Sequence, residues 1–501
     1  MYRSIKSAAS PGKVDAVAVA LFDKTSKLPD AYTATDKAAG GELSAALKRP
    51  DFSAAAGSLT TLRPTKGARL VYVLGLGERS SFKHDTLRNA LGKLVRAAGG
   101  AKVARLDVQL RAGVDGVIDD AALARLAGEA LMIANHAFVE FKGAAKKADE
   151  TPKTLHAHVE SKLRKAFAAG LEVGDSVNIA RRLAATPPNV ASPRFIVSEC
   201  RRLARQVGLK CSVIDKAKAK QLKLGGLLAV GAAGSAPPAM VVLEHKPARA
   251  KGRPVMLVGK AVTFDTGGYS IKPSASMAGM KHDKCGGMAV IGAMHAIARL
   301  KLPVHVVGLV PCVENMISTD AYRPDDILTM ANGVTVEVTN TDAEGRLILA
   351  DALAYGTKTY NPAAIVDLAT LTGGVVVALG SLCAGCFCGD ADLRGRLFDA
   401  ADDTGERLWH LPLWDEHRDM MKSEHADIVN SGGREAHPIQ GAAFLSFFVG
   451  PDAPSKMPDL PWAHLDIAGV ADVKAANDLY AKGPTGWGVR LLVRAVEQWR
   501  A

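Results

Sequence analysis

A chain of 501 residues exceeds what one ordinary hydrophobic core supports, so two domains or more are expected. With 48% hydrophobic and 23% charged residues the composition is that of a globular protein and excludes intrinsic disorder. No apolar run reaches the roughly eighteen residues a transmembrane helix needs, and the net charge of +12 divides into +18 over residues 1–250 and −6 over residues 251–501. The basic front half reads as a solvated face, because no nucleic-acid-binding module accompanies it.

The N-terminal stretch Met1–Ser7 lacks a long apolar core and a cleavage site, so a cytoplasmic protein is expected. Segments 14–21 and 68–74 are apolar enough for strands, and 86–98 and 120–138 have helical periodicity. Together they predict an α/β domain over residues 1–150. Gly75-Leu76-Gly77-Glu78 follows a strand but lacks a full glycine fingerprint, so it reads as an ordinary turn and not a phosphate loop. The Lys-rich stretch 141–153 reads as a domain edge. Residues 151–190 read as a linker region with a helix at about 171–185, stopped by Pro187 and Pro188. Ser192-Pro193 then looks like an N-cap and a first-turn proline.

Residues 191–501 alternate strands and helices. Strands are predicted at 254–259, 304–310, 334–338, 364–368 and 463–468, with helices at about 285–300 and from near Arg346. The fold class is therefore α/β in two domains: a smaller N-terminal α/β domain and a C-terminal domain whose mostly parallel central sheet is flanked by helices. Such sheets bind ligands beyond the carboxyl ends of their strands. Lys260 and Asp265 follow one predicted strand, Asp342 and Glu344 a second, and Thr370 to Gly374 a third. Seven scattered cysteines suit reduced thiols, and Cys383-x-x-Cys386-x-Cys388 reads as buried thiols ahead of a zinc knuckle, since no matching second pair exists.

Four carboxylates, Asp265, Asp283, Asp342 and Glu344, lie with Lys260, Lys272 and Arg346 in segments otherwise built for burial. Ionised groups beside a core are costly unless paired or metal-bound, and clustered carboxylates resist ionisation without positive charge between them. Two divalent cations would supply it. Asp342 and Glu344, one residue apart, would point to the same side of an extended segment. Singly, each acid could be a helix cap or turn residue; as a set with Lys272 and Arg346 they point to a two-metal enzyme.

The segments carrying these residues resemble the leucyl (cytosol) aminopeptidase family of di-zinc metallopeptidases. The likeness runs through Val258–Gly268, Ile271–Ser274, Met280–Asp283 and the octet Asn340-Thr341-Asp342-Ala343-Glu344-Gly345-Arg346-Leu347. It continues through Asp367–Gly373, Gly441–Leu445 and Trp462–Gly469, covering most of residues 175–501. Thr266 and Gly287 stand where serine and alanine are commoner, and neither is a ligand position. The resemblance implies that Lys260, Asp265, Asp283, Asp342 and Glu344 bind two divalent ions (zinc or manganese, with magnesium also acceptable to such ligands), Asp265 and Glu344 bridging them. Spacing alone would not nominate Lys260, because free lysine is protonated at neutral pH and must lose that proton beside a metal.

The implied reaction is aminopeptidase hydrolysis. A water between ions about 3.5–4 Å apart becomes a hydroxide nucleophile, one ion takes the peptide's free amine, and Lys272 with the other stabilises the oxyanion. Arg346 would hold a bicarbonate ion as general base, a role for which these motifs offer no spare histidine or glutamate apart from His282. Met280, Thr370, Leu371 and Gly373 would bind the first residue, preferring leucine or methionine broadly. His282, His437 and His464 read as core or supporting histidines and not as zinc ligands. A homohexamer acting on peptides, away from membranes, is likewise implied. Some bacterial members also bind DNA, which the basic front half would suit, although that role would leave the ligand set unexplained. A metal-dependent phosphatase or nuclease would use similar carboxylates; the lysine ligand and the lack of phosphate-clamping arginines weigh against it.

Overall fold

The computed structural model describes residues 1–145 and 148–499. The chain forms two compact units: Met1–Asn178 with Lys474–Lys482, and Ile179–Val473 with Gly483–Ala501. No helix among the described residues is long and apolar enough to cross a membrane.

The first unit is built on a six-stranded sheet in the order Ser4–Ala8, Thr154–His158, Arg105–Gln109, Ala16–Leu21, Leu70–Gly75 and Leu59–Leu62. All neighbours are parallel except the last pair. Ala16–Leu21 and Leu70–Gly75 are buried throughout, as central strands covered on both faces must be. Helices His84–Gly100 and Asp120–Ala134 pack together, the second capped by the Asp119 carboxylate, which accepts from the Ala121 and Ala122 amides.

This unit runs beyond residue 150, where the sequence suggested its edge. Thr154–His158 lies between two other strands of its sheet, and the division falls inside the 22-residue helix Arg164–Ala185, so 151–178 is not a linker. Of the Lys-rich stretch read as an edge, Lys146 and Lys147 lie outside the described residues. The Gly75–Glu78 segment is an ordinary turn: the Gly75, Leu76 and Gly77 amides donate to Ser58, Leu21 and Ala54 carbonyls, leaving none of the three for a phosphate.

The second unit holds a nine-stranded sheet. Its order is Leu408–His410, Ala384–Cys388, Trp462–Asp466, Ala364–Ala369, Val255–Gly259, Val306–Asn315, Ala239–His245, Lys210–Ile214, with Ala261–Asp265 also paired to Val306–Asn315. Trp462–Asp466, Ala364–Ala369, Val255–Gly259 and Val306–Asn315 form a parallel centre, and the margins include antiparallel pairs. The predicted strand at 334–338 is not part of this sheet. Thr335–Glu337 instead pairs with Ile327–Thr329 and Ile428–Val429 in a separate three-stranded sheet. Its short length and half-exposed ends suit a satellite sheet and not a covered centre.

Val306–Asn315 is ten residues long and buried along its whole length. Its first half pairs with Val255–Gly259 and its second with Ala261–Asp265, so Lys260 sits at the break between two strands sharing one neighbour. Helices Cys285–Arg299 and Glu344–Tyr360 pack on this sheet, and apolar side chains of the second, Leu347 to Ala354, join its core. Ser192 caps Pro193–Val207 as expected, its hydroxyl accepting from the Phe195 amide.

Candidate metal centre

The parallel strands deliver the candidate residues to one end of the sheet. Lys260 leaves Val255–Gly259, its amide donating to Leu368 O at 3.1 Å. Asp265 ends the next strand, where its Oδ1 accepts from the Gly267 amide and from Asn315 Nδ2, both at 2.8 Å. Gly267 adopts φ +86, which a residue with a side chain would strain to reach, and this tight turn lets residues 266–272 fold back over the site. Asp283 follows the single turn Met280–His282 ahead of helix Cys285–Arg299, and its Oδ1 accepts from the Thr370 hydroxyl at 2.7 Å.

Asp342 and Glu344 converge differently from the sequence expectation. They do not share the side of an extended strand: Asp342 lies in a turn and Glu344 is the first residue of helix Glu344–Tyr360. Their carboxylates meet because the turn reverses the chain at the helix start. One oxygen each of Asp265, Asp342 and Glu344 lies within 4.8 Å of the others.

Two lysines stand among these acids. Lys260 Nζ lies 2.8 Å from Glu344 Oε1 and 3.0 Å from Asp283 Oδ2, and it donates to the Thr370 carbonyl at 3.0 Å. Lys272 Nζ lies 2.9 Å from Asp265 Oδ2 and also pairs with Asp342 Oδ1. Burial disfavours both ammonium charges, yet the surrounding carboxylates outweigh it and hold both lysines above the ordinary value. The acids pay the reciprocal cost of crowding. Burial, reinforced by Asp265 and Glu344 against the opposing Lys272, pushes the Asp342 carboxyl up to about 6. Burial also raises Asp283 well above the carboxylate range, against Lys260.

The donor set fits divalent cations. It offers hard carboxylate oxygens and one amine, converging in a buried spot, and Glu344 Oε2 is buried with no hydrogen-bond partner. Asp265, Asp342 and Glu344 would hold one ion, and Lys260, Asp283 and Glu344 lie together for a second. No cysteine joins them. All seven are free thiols, with Cys386 and Cys388 buried in the strand Ala384–Cys388 and Cys383 half-buried beside it.

Arg346 is 2% exposed yet forms no ion pair among the described residues. Nη1 donates to the Asn430 carbonyl at 2.7 Å, while Nε is buried without a partner. Burial draws its pKa down to about 10, partly offset by Glu344 and Asp466, so the guanidinium stays charged at neutral pH. A buried guanidinium without a carboxylate partner has the chemistry to hold an anion. Thr370 and Leu371 lie in the loop after Ala364–Ala369 and Gly373 opens the helix Gly373–Leu379 that follows, the loop tied down by Asp466, which accepts from the Leu371 amide at 3.1 Å and the Thr372 hydroxyl at 2.6 Å. A side chain on Gly373 would meet open space, so this wall is unobstructed. Half-buried Met280 opens the turn that leads to Asp283.

Of the three histidines, His464 is fully buried, its Nδ1 2.6 Å from Asp367 Oδ1, whose other oxygen accepts from Trp462 Nε1. His282 Nδ1 lies 3.9 Å from Asp472 Oδ2, and His437 packs on Gly374. Sequence reasoning missed Asn315 and Asn430. Asn315 Nδ2 bridges Asp265 to the Thr341 carbonyl, and a polar residue ending a ten-residue apolar strand was the available signal. Asn430 clasps the octet through the Thr339 and Asn340 amides, and no local pattern marks it.

The residues match known proteins over nearly their full extent. Residues 178–493 match the cytosol aminopeptidase family catalytic domain, and residues 18–145 match the N-terminal domain of the same family. A probable cytosol aminopeptidase of Azoarcus sp. (strain BH72) is 39% identical, with 93% of this chain and 92% of the relative covered. One from Roseiflexus castenholzii (strain DSM 13941 / HLO8) is 42% identical over 86% of this chain and 88% of the relative. Among solved structures, the bottromycin maturation enzyme BotP in complex with Mn superposes with a TM-score of 0.84 at 32% identity, covering 97% of this chain and 99% of BotP.

Proposed function

The chain belongs to the cytosol aminopeptidase family of metal-dependent peptidases, and from that premise we propose that it releases the N-terminal residue of peptides at two divalent ions held by Lys260, Asp265, Asp283, Asp342 and Glu344. The observation that carries this reading is the buried carboxylate cluster with Lys260 inside it and Glu344 Oε2 left without a partner. The ion pair, when bound, acidifies a water and polarises the scissile carbonyl.

The chain's own residues do the rest. Lys272, anchored between Asp265 and Asp342, presents an ammonium to the oxygen that becomes negative at the tetrahedral stage. Arg346 would hold a bicarbonate ion, which would supply a general base there; the buried guanidinium, without an ion-pair partner among the described residues, supports that role. Met280, Thr370, Leu371 and Gly373 bound the pocket for the first side chain. An apolar pocket discriminates by only about 1–3 kcal/mol per methylene, so the preference for leucine- and methionine-like residues is broad.

Manganese bound to BotP supports manganese among the acceptable ions, beside zinc and magnesium. We assign a cytoplasmic homohexamer, for which exposed Val377, Leu382, Trp409 and Trp414 supply apolar surface. A secondary role on DNA rests on the basic front half alone and is the lesser reading. The test is hydrolysis of Leu-p-nitroanilide and p-nitrophenyl phosphate after chelation and re-addition of zinc, manganese or magnesium. Metal-restored anilide cleavage with no phosphatase activity is expected. Phosphate release alone, or anilide cleavage indifferent to chelation, would overturn the proposal.

A further inference from the structure

We infer that Tyr322, which lies outside the motif segments, is a positioning residue for one of the two ions: its hydroxyl fixes the peptide unit from which Asp342 reaches the centre. The inference rests on the two-ion reading given above and deepens it.

Asp342 differs from its neighbours in how it is held. Asp265 accepts from the Gly267 amide and Asn315 Nδ2, and Asp283 accepts from the Thr370 hydroxyl. Among the described residues no neutral donor holds the Asp342 carboxylate, whose Oδ1 meets the Lys272 ammonium. The direction in which this carboxylate points therefore depends on its backbone.

That backbone is clamped on both sides of the Thr341–Asp342 peptide bond. The Asp342 amide donates to Asn340 Oδ1 at 2.8 Å. The Thr341 carbonyl accepts twice, from Tyr322 Oη at 2.7 Å and from Asn315 Nδ2 at 3.0 Å. Thr341 and Asn315 are fully buried and Tyr322 is 5% exposed, so both donors are held away from water. A carbonyl has two lone pairs, and protein donors take both here, which fixes the peptide plane. A buried tyrosine hydroxyl needs some acceptor. This one has a task because its acceptor is the carbonyl next to a ligand that nothing neutral holds.

Tyr322 is braced independently of the centre. Its ring packs in the apolar core of the second unit. Asp325, three residues further on, takes the left-handed φ of +72, a conformation aspartate tolerates, and its amide donates to the Val338 carbonyl at 2.8 Å. The Val338 amide donates in turn to the Asp326 carbonyl at 2.9 Å. This exchange locks the segment carrying Tyr322 to the residues just ahead of the octet. In the two-ion reading Asp342 serves the ion shared with Asp265 and Glu344, while Lys260 and Asp283 serve the other. Loss of the hydroxyl would then weaken one ion and spare its neighbour, which a general packing defect would not do.

The test titrates Mn²⁺ into the metal-free full chain, wild type and Y322F, following unbound Mn²⁺ by its EPR signal. Y322F removes one oxygen and leaves the ring in place, so the core around it is kept; circular dichroism on the same samples checks this. The wild type should bind two ions per chain. In Y322F one ion should bind about 10- to 100-fold more weakly, the usual cost of losing a group that orients a metal ligand, and the other should stay within about twofold. Wild-type affinity for both ions in Y322F, or equal weakening of both, would overturn the role of Tyr322 while leaving the two-ion centre. A wild type that binds fewer than two ions would overturn the two-ion reading itself, and this inference with it.

Discussion

Lys260 crosses directly above Gly345. A side chain on Gly345 would begin 2.5 Å from both Cε and Nζ of Lys260, and the lysine, almost fully buried, has no room to withdraw. The glycine in the octet is there to let an amine from another strand lie on the first turn of the helix that begins at Glu344. Gly345→Ala should therefore displace Lys260 from Glu344 and Asp283. The expected result is a folded protein with fewer than two metals per chain and turnover reduced by about 100-fold, as a displacement of roughly 1 Å at a reacting centre produces. Metal analysis alongside steady-state kinetics checks both.

In the proposed mechanism Lys272 acts on the substrate and does not hold a metal. Lys272→Ala should lower kcat by about 100- to 1000-fold, the usual cost of one oxyanion donor, while metal content stays at the wild-type level. Unchanged turnover would remove Lys272 from the oxyanion role.

Asn430 holds the octet from behind. Its Oδ1 accepts from the Thr339 and Asn340 amides at 2.8 and 3.2 Å, and its Nδ2 donates to the Asn340 carbonyl at 2.7 Å. Asn430→Ala removes these part-buried hydrogen bonds, and unfolding in urea should show a loss of about 1–2 kcal/mol. Metal affinity should fall with it, because Asp342 and Glu344 follow directly.

Asp351 gives a pH signature independent of the metal site. It is fully buried, accepting from the Leu227 and Ala331 amides at 2.8 and 3.0 Å, and burial outweighs these amide bonds to push its carboxyl up to about 7. The native state thus binds this proton more tightly than the unfolded chain, whose Asp titrates near about 3.9. Its stabilising contribution is complete below that value, declines as pH rises, and is spent above about 7. Between pH 6 and pH 8 the stability of the wild type relative to Asp351→Asn should fall by about 1 kcal/mol in urea unfolding at constant metal. A difference that rises or stays flat over that range would contradict the shift.

The candidate site was legible chiefly through its resemblance to a known family, and the strands that carry it through their apolar runs. Lys260 and Asp265 each follow such a run, whereas Asp283 follows the short turn Met280–His282, which no local pattern singles out. The signals failed where position depends on pairing between distant segments. Nothing in Thr335-Val336-Glu337 says that it leaves the central sheet, since the partners that draw it away, around Ile327 and Ile428, are equally unremarkable. Asp342 and Glu344 were read by strand alternation although their separation suits a turn into a helix just as well. Thr154–His158 joins the first sheet beyond a Lys-rich stretch that locally resembles a boundary. Asn430 acquires meaning only through Arg346 and the octet, more than eighty residues upstream, as the 84-residue separation of the Arg346–Asn430 contact shows.

The ten-residue strand Val306–Asn315 works as a rail, gripping in succession the two strands that flank Lys260 and closing on Asp265 through Asn315. Tolerance to change is divided accordingly. Replacements along the rail would propagate straight into the spacing of the proposed ligands, whereas the 370–372 loop and the 432–436 approach hang from other supports. A lineage seeking a new peptide preference can remodel those two loops while the catalytic ruler keeps its graduations.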